Sequence, residues 1–357
     1  MELWNLTHSR PDHAVRAAER AEAAGWDGLL VVDSQNLAPD SYVALTLAAT
    51  RTDRLGLGTG VTNSVTRHPA VTASAAMAIQ QVSGGRMCLG IGRGDSALAH
   101  LGRAPARLGS FTRYVEVLQR YLRGESVGFA DLAMDDAIAP PVEDLDLADH
   151  PTESRIRWFD PSLPKVPLEI AATGPRVIAL AGRVADRVMF TLGAVPERLR
   201  WGIEVAREAA AKAGRNPREL AIGAYVNMVC HRDKTTARNL VRGGLTTFAR
   251  FSVMHGAVAG PADGATRQVL EKLHDGYDMR HHTRADSVQA TLMNDEFVDA
   301  FAIAGPPDYC LERLAELEAL GIDKLVVSGP TAGTDRVAAQ SAMGLLDEAV
   351  VGVVSAT

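Results

Sequence analysis

The sequence predicts a parallel (β/α)8 barrel carrying two excursions. Three observations predict it. Short unbroken apolar runs such as 28–32 (GLLVV) and 87–91 (MCLGI) read as strands buried on both faces. Helical patterns separate these runs, as crossovers between parallel strands require. The strand–helix pairs number eight, the count that closes a barrel. A doubly wound open sheet is the competing fold, but no nucleotide fingerprint opens the chain.

The elements follow in order. Residues 2–6 read as the first strand and 12–24 as a helix ended by Gly25. Residues 27–32 form the second strand and 41–50 its helix. Strand 55–60 precedes helix 70–82, and strand 86–91 precedes helix 111–123, which Gly124 closes. The pattern pauses over 125–165, where MDDAIAPPVEDLDLADHP is rich in Asp and Pro and reads as an insertion. It resumes with strand 167–171, helix 176–183, strand 187–190, helix 197–213, strand 220–228 and helix 234–251. A second irregular segment, 252–300, carries Gly and His. Helix 307–320, strand 324–328 and helix 335–350 complete the count. Residues 1–357 are therefore expected to form one barrel domain, with insertions at about 125–165 and 252–300.

Composition narrows the function classes. Of 357 residues, 46% are hydrophobic, enough for a large core. Net charge is −6 and no basic block occurs, which argues against nucleic-acid binding. Cys88, Cys230 and Cys310 lie far apart, and none belongs to a CxxC pair. They suggest neither a disulfide framework nor a thiolate metal site, and read as reduced core thiols. The histidines show no metal spacing, and adjacent His281 and His282 read as exposed. MELWNLTHSRPDH has no basic-then-apolar pattern of a signal peptide, and no run approaches an uninterrupted membrane span. A cytoplasmic protein is expected, with no nucleic-acid or membrane partner.

Several strand exits carry chemistry. LGTGVTNSVTRHPA (57–70) ends an apolar run in Gly-Thr-Gly, passes through short polar residues and restarts at His-Pro. LGIGRGD (89–95) places Gly90, Gly92 and Gly94 at the fourth strand's exit. It is no dinucleotide loop, because Asp95 stands where G-x-G-x-x-G needs glycine. It reads as a tight turn or as a glycine-lined exit that lets a flat ring approach, with Asp95 facing the pocket. In AATGPRVIALAGRVADRVMF (171–190), Thr173 is placed to cap a helix and Pro175 suits its first turn. Open N–H groups at such a helix start, with Gly174 beside them, suit an anion. Asp33 ends the second strand and His8 the first. At the face where barrel sites form, each is a candidate for catalysis, with loop capping as the plain alternative.

The blocks LGTGVTNSVTRHPAVTASA, SGGRMCLGIGRGD and AATGPRVIALAGRVADRV together resemble the luciferase-like flavin-dependent oxidoreductase superfamily. The branch they resemble most is that of F420-dependent enzymes similar to methylenetetrahydromethanopterin reductase. This resemblance implies a barrel binding the deazaflavin F420, or alternatively FMN, at the C-terminal strand ends, with hydride transfer to or from the ring. It implies that Gly60 and Val61 form a bulge pressed against the ring, joined by a cis peptide, with Thr62 and Asn63 beside it. Gly92, Gly94 and Asp95 match the glycine-rich exit, and Thr173, Gly174 and Pro175 the turn near the cofactor's phosphate-bearing tail. Asp33 matches an acidic residue of the family. Ser34 departs from the histidine that commonly follows it in F420 relatives, which speaks against an alcohol dehydrogenase of that type.

The expected function is an F420-dependent oxidoreductase acting on a small organic substrate. Asp33, Asn63, Asp95 and His8 are the catalytic candidates; no metal is expected. The alternatives are an FMNH2-dependent monooxygenase and a non-catalytic flavin-binding barrel. Homodimers are common in the family, and the small-residue helix AVTASAAMAIQQV suggests the contact.

Overall fold

The computed structural model describes residues 1–132 and 134–354. Ala133 and residues 355–357 lie outside the described residues. Eight strands form the barrel: β1 Glu2–Thr7, β2 Gly28–Val31, β3 Gly56–Thr59, β4 Met87–Gly92, β5 Leu168–Ala172, β6 Arg187–Phe190, β7 Ala221–Cys230 and β8 Lys324–Ser328. Every neighbouring pair is parallel. Closure comes where β8 returns to β1, with Glu2 opposite Lys324 and Asn5 opposite Val327. The (β/α)8 expectation from the apolar runs therefore holds.

Side chains alternate between two layers, as the period of two along a strand requires. Leu29, Val31, Leu325 and Val327 point out toward the helices and join the main core. Between them, Leu30 and Val326 point into the barrel, where they meet Trp4, Cys88, Met189 and Tyr225. At the N-terminal end of the barrel, Lys324 and Glu169 form a bidentate ion pair at 2.8 and 2.9 Å, both fully buried. Lys324 also lies 3.4 Å from the centre of the Trp4 ring.

The barrel helices are α1 Pro11–Ala24, α2 Ser41–Ala49, α3 Pro69–Val82, α4 Leu108–Leu122, α5 Pro175–Val184 and α6 Pro196–Lys212. Four of the six begin with proline, whose missing N–H costs nothing in a first turn. After β7 the reading of the sequence needs correction. Helix α7, Lys234–Phe251, does not fill the seventh outer position alone. Its Ala237, Leu240, Val241, Leu245 and Ala249 face a separate core built from the second excursion. That excursion is not irregular: it holds α8 Gly264–Asp275, α9 Asp295–Phe301 and a short strand, Ile303–Gly305, parallel to the end of β7. Helix α10, Pro307–Ala319, packs on the main core through Cys310, Leu314 and Leu317. The final helix α11, Arg336–Leu346, continues to Val354. By length and composition the run 336–354 would span a membrane, yet Leu346, Val350 and Val351 pack into the main core. The first excursion matches expectation: a two-residue antiparallel pairing, 127–128 with 153–154, and short turns.

A half-buried arginine and a buried one pin these parts together. Arg86 donates five hydrogen bonds to Ala49, Thr52, Leu55 and Ser83 at the helix ends of α2 and α3. Arg198, 1% exposed, donates to Leu192 O, Pro261 O, Ser252 Oγ and Ala259 O, and so holds the second excursion to α6.

Candidate functional site at the C-terminal mouth

The exit of β3 organises the mouth. Thr59 Oγ1 donates to Gly90 O at 2.7 Å, and Gly60 N donates to Val31 O at 2.7 Å. The Gly60–Val61 peptide is cis, as the resemblance implied. The chain then rejoins the sheet, with Thr62 and Asn63 running parallel beside Ile91 and Gly92 of β4. A Cβ on Gly90 would sit 2.1 Å from Thr59 O, and one on Gly92 would sit 3.1 Å from Val61 Cγ2. Glycine at 90 and 92 is thus what lets the returning segment lie against β4. Gly94, at φ +77°, turns the chain away beside Asn63.

Val61 forms part of an apolar shelf. With Leu6 and Ala171 it packs on the barrel's interior cluster while staying half exposed at the mouth. Phe248 of α7 meets the same cluster, and its ring centre lies 6.3 Å from that of Tyr225. Helix α7 therefore reaches over the mouth.

Polar groups surround this shelf. Asn63 is 1% exposed, and its Oδ1 accepts from Val65 N, Thr66 N and Thr66 Oγ1 at 3.0 to 3.2 Å. Its Nδ2 is buried and has no partner, nor has Ser64 Oγ next to it. The Asn227 carboxamide, on the same strand face as Tyr225, is likewise buried and unpaired at both atoms. Buried polar groups are normally paired, so such orphans call for an explanation; a bound ligand supplies one.

The two acids are not free. Asp33, 3% exposed, accepts from Gln35 Nε2 at Oδ1 and from Arg67 Nη1 at Oδ2, both at 2.7 Å. Arg67 also bridges to Asp40 at 2.6 Å and lies over the Tyr42 ring. Burial, then the Asp33 charge, push the Tyr42 hydroxyl well above its ordinary pKa. Asp95 pairs with Arg250 of α7. Arg67 stands in the quoted stretch TRHPA, three residues past Ser64, yet nothing in its sequence position marks it as the partner of Asp33. Arg250 lies 155 residues from Asp95 and carried no signal at all.

Three expectations are placed differently. Thr173 does not cap α5: Gly174 is the N-cap, without a side-chain bond, and the Thr173 hydroxyl pairs with that of Thr191. Pro175 does occupy the first turn. His8 lies just past the end of β1, is exposed and accepts from Arg10 N at 3.3 Å. His282 is not a solvent histidine. It is drawn onto the β4 exit, 2.8 Å from Ser96 Oγ and 2.7 Å from Tyr277 Oη. Burial, and then the Arg250 charge, push its pKa down to about 4. Among the described residues no cluster of His, Cys, Asp or Glu could hold a metal.

A parallel barrel with an apolar shelf, a glycine-lined exit and unpaired polar atoms at its C-terminal face belongs to the class of (β/α)8 proteins that bind a ligand there. The luciferase-like monooxygenase family matches residues 2–324, and the chain belongs to it. It is 28% identical over 348 residues to the 5,10-methylenetetrahydromethanopterin reductase of Methanolobus tindarius, covering 94% of each chain. To the F420-dependent glucose-6-phosphate dehydrogenase of Mycolicibacterium fortuitum it is 30% identical over 336 residues, covering 90% of this chain and 88% of that one. The fold also matches the solved structure of the coenzyme F420 dependent tetrahydromethanopterin reductase of Methanopyrus kandleri. That match has a TM-score of 0.69 at 22% identity and covers 98% of both chains.

Proposed function

We propose that this chain is an F420-dependent oxidoreductase that moves a hydride between the deazaflavin and a small organic substrate. The observation carrying the proposal is the β3 exit: Val61 on its bulge, half exposed beside Ala171 and Leu6, with the unpaired Asn63 Nδ2 next to it. The residues fit the group. The apolar shelf would hold a flat ring, the orphaned Asn63 Nδ2–H would donate to a carbonyl oxygen at its edge, and Gly92, with no Cβ against Val61, leaves the approach open. Thr173 and Gly174, at the open start of α5, suit the phosphate of the cofactor's tail. The F420-dependent glucose-6-phosphate dehydrogenase named above supports the same reading.

When bound, the deazaflavin supplies the hydride donor or acceptor. The protein's own residues bind, orient and exclude water. Phe248 of α7 packs on the same cluster as the shelf, while Asn63 Nδ2–H would hold the polar edge of the ring. Asp33 has both oxygens taken, so it orients its surroundings through Arg67.

The test is anaerobic mixing of the purified chain with reduced F420 and a panel of carbonyl, imine and activated-alkene compounds. Oxidation of F420 with at least one compound supports the reading. Turnover only with FMNH2 and oxygen favours the monooxygenase reading, to which the family's description points.

We also propose a homodimer through α2 and α3. Helix α2 is apolar on all sides, yet Val43 and Leu47 face outward. On the neighbouring α3, Val71, Ala78 and Val82 line one outward face. Exposed apolar faces of this kind mark interfaces, and a second copy of the same small-residue surface fits it closely.

A further inference from the structure

Among the described residues three arginines, Arg187, Arg250 and Arg313, keep a buried Nε–H without a hydrogen-bond partner, and Arg250 is the most buried of the three. A buried guanidinium carries five donors and needs acceptors for them. Buried Arg198 obeys this rule, and so does half-buried Arg86: each uses Nε and both Nη nitrogens on carbonyl or hydroxyl oxygens. Both serve the scaffold, joining helix ends or holding the second excursion. Arg250 is 9% exposed and breaks the rule. Its Nη2 donates to Asp95, its guanidinium carbon lies 4.6 Å from the centre of the Tyr277 ring, with which it also hydrogen-bonds, and its buried Nε–H has no hydrogen-bond partner. Burial holds its pKa below the ordinary value, against the pull of Tyr277.

Its place is the mouth. Arg250 sits two residues beyond Phe248, which covers the shelf, and it reaches the β4 exit. There Gly94, next to Asp95, lies against Asn63. His282 and Ser96 flank the pair. Arg198, the scaffold arginine at comparable depth, is saturated. One with a free donor at a ligand-binding mouth is held for an acceptor that arrives from outside. Its planar fork suits an oxyanion better than a neutral group.

We propose that Arg250 is the receptor for an oxyanion, a carboxylate or phosphate group, on the substrate. Asp95, which takes Nη2, is the internal competitor that this oxyanion displaces. This rests on the mouth being the active site, and it adds the class of substrate that the site selects: one bearing a fixed negative charge. The incoming oxyanion takes both Nε–H and Nη2–H side by side, and Asp95 is released toward the shelf.

The test is calorimetric titration of the purified full chain with inorganic phosphate and, separately, with malonate. Four proteins are compared: wild type, Arg250→Met, Arg250→Lys and Asp95→Asn. Wild type is expected to bind at least one anion saturably, and which one distinguishes a phosphate-bearing from a carboxylate-bearing substrate. Arg250→Met should weaken that binding about tenfold or more, the loss of charge-assisted hydrogen bonds. Arg250→Lys keeps the charge without the fork and should fall between the two. Asp95→Asn removes the internal competitor and should tighten binding severalfold, an effect opposite in sign to that of an ordinary site residue. If Arg250→Met does not fold, the Lys and Asn variants decide the matter. Wild type binding neither anion, equal binding by wild type and the Arg250 variants, or no tightening in Asp95→Asn overturns the proposal. F420 titration of the same proteins keeps the two readings apart. Failure of wild type to bind F420 removes the oxidoreductase reading, whatever the anions do. Equal F420 binding by wild type and Arg250→Met, with no anion effect, removes this inference alone.

Discussion

Breaking the ion pair inside the barrel tests whether the N-terminal end is scaffold and the C-terminal end is site. Lys324 is wholly buried, and among the described residues its one carboxylate is Glu169. Its other contacts are Cys88 Sγ at 3.5 Å and the Trp4 ring. Glu169 has a second cation, since Arg187 lies 3.2 Å from Oε1. The two truncations should therefore differ. Glu169→Leu leaves a buried ammonium without a counter-charge, and losses of this kind are about 3–5 kcal/mol. Lys324→Met leaves Glu169 with Arg187, so the loss should be about half of that. An unfolding entropy of about 2.1 cal/mol/K per residue makes 1 kcal/mol worth roughly 1.3 °C in a chain of 357 residues. The Tm of Glu169→Leu should then fall by roughly 4–7 °C. The double variant Glu169→Leu/Lys324→Met should recover most of this, because two apolar side chains replace the pair. Calorimetry of the four proteins measures the cycle, and F420 affinity should stay within about twofold of wild type throughout. Equal and additive losses in the single variants would refute the reasoning. So would a collapse of F420 binding in the well-folded double variant, which would place this pair in the site.

Three further outcomes are expected. Val61→Gly should weaken F420 binding about tenfold while moving Tm by only about 1–2 °C, because the side chain is half exposed on the shelf; Gly90→Ala, whose Cβ would strike Thr59 O, should instead lower stability sharply, as comparative melts will show. His282 should make stability depend on pH: it stays neutral in the folded chain to about 4 but takes a proton near 6.5 when unfolded, so stability should fall as pH drops from 6.5 toward 4, by up to about 3 kcal/mol, and level off below. Denaturant titrations of His282→Gln should show that slope flattened. Sedimentation at micromolar concentration should give a dimer that Val43→Asp combined with Val71→Asp converts to a folded monomer.

Most of the barrel was legible because its signals are local. GLLVV must be buried on both faces wherever it lies, and Pro175 or Pro196 starts a helix without distant help. The Gly60–Val61 bulge was legible only through resemblance. The second excursion was not, because its helices bury their apolar faces in a separate cluster with α7 and the end of β7. Its Gly and His content concealed ordinary helices. The site was half legible for a related reason. Asp33, Asn63 and Asp95 stand at strand ends, which sequence order locates. What each carboxylate does depends on Arg67 and Arg250, and those arrive through tertiary contact. His282 reaches Ser96 across 186 residues, and no local pattern carries that.

The most direct measurement of the central claim is equilibrium titration of the purified chain with F420 and with FMN, each oxidised and reduced, followed by cofactor absorbance and fluorescence. The account predicts saturable binding of F420, at least tenfold tighter than FMN and weakened in Val61→Gly. Binding of FMN alone, or of neither ring by a folded chain, would contradict it.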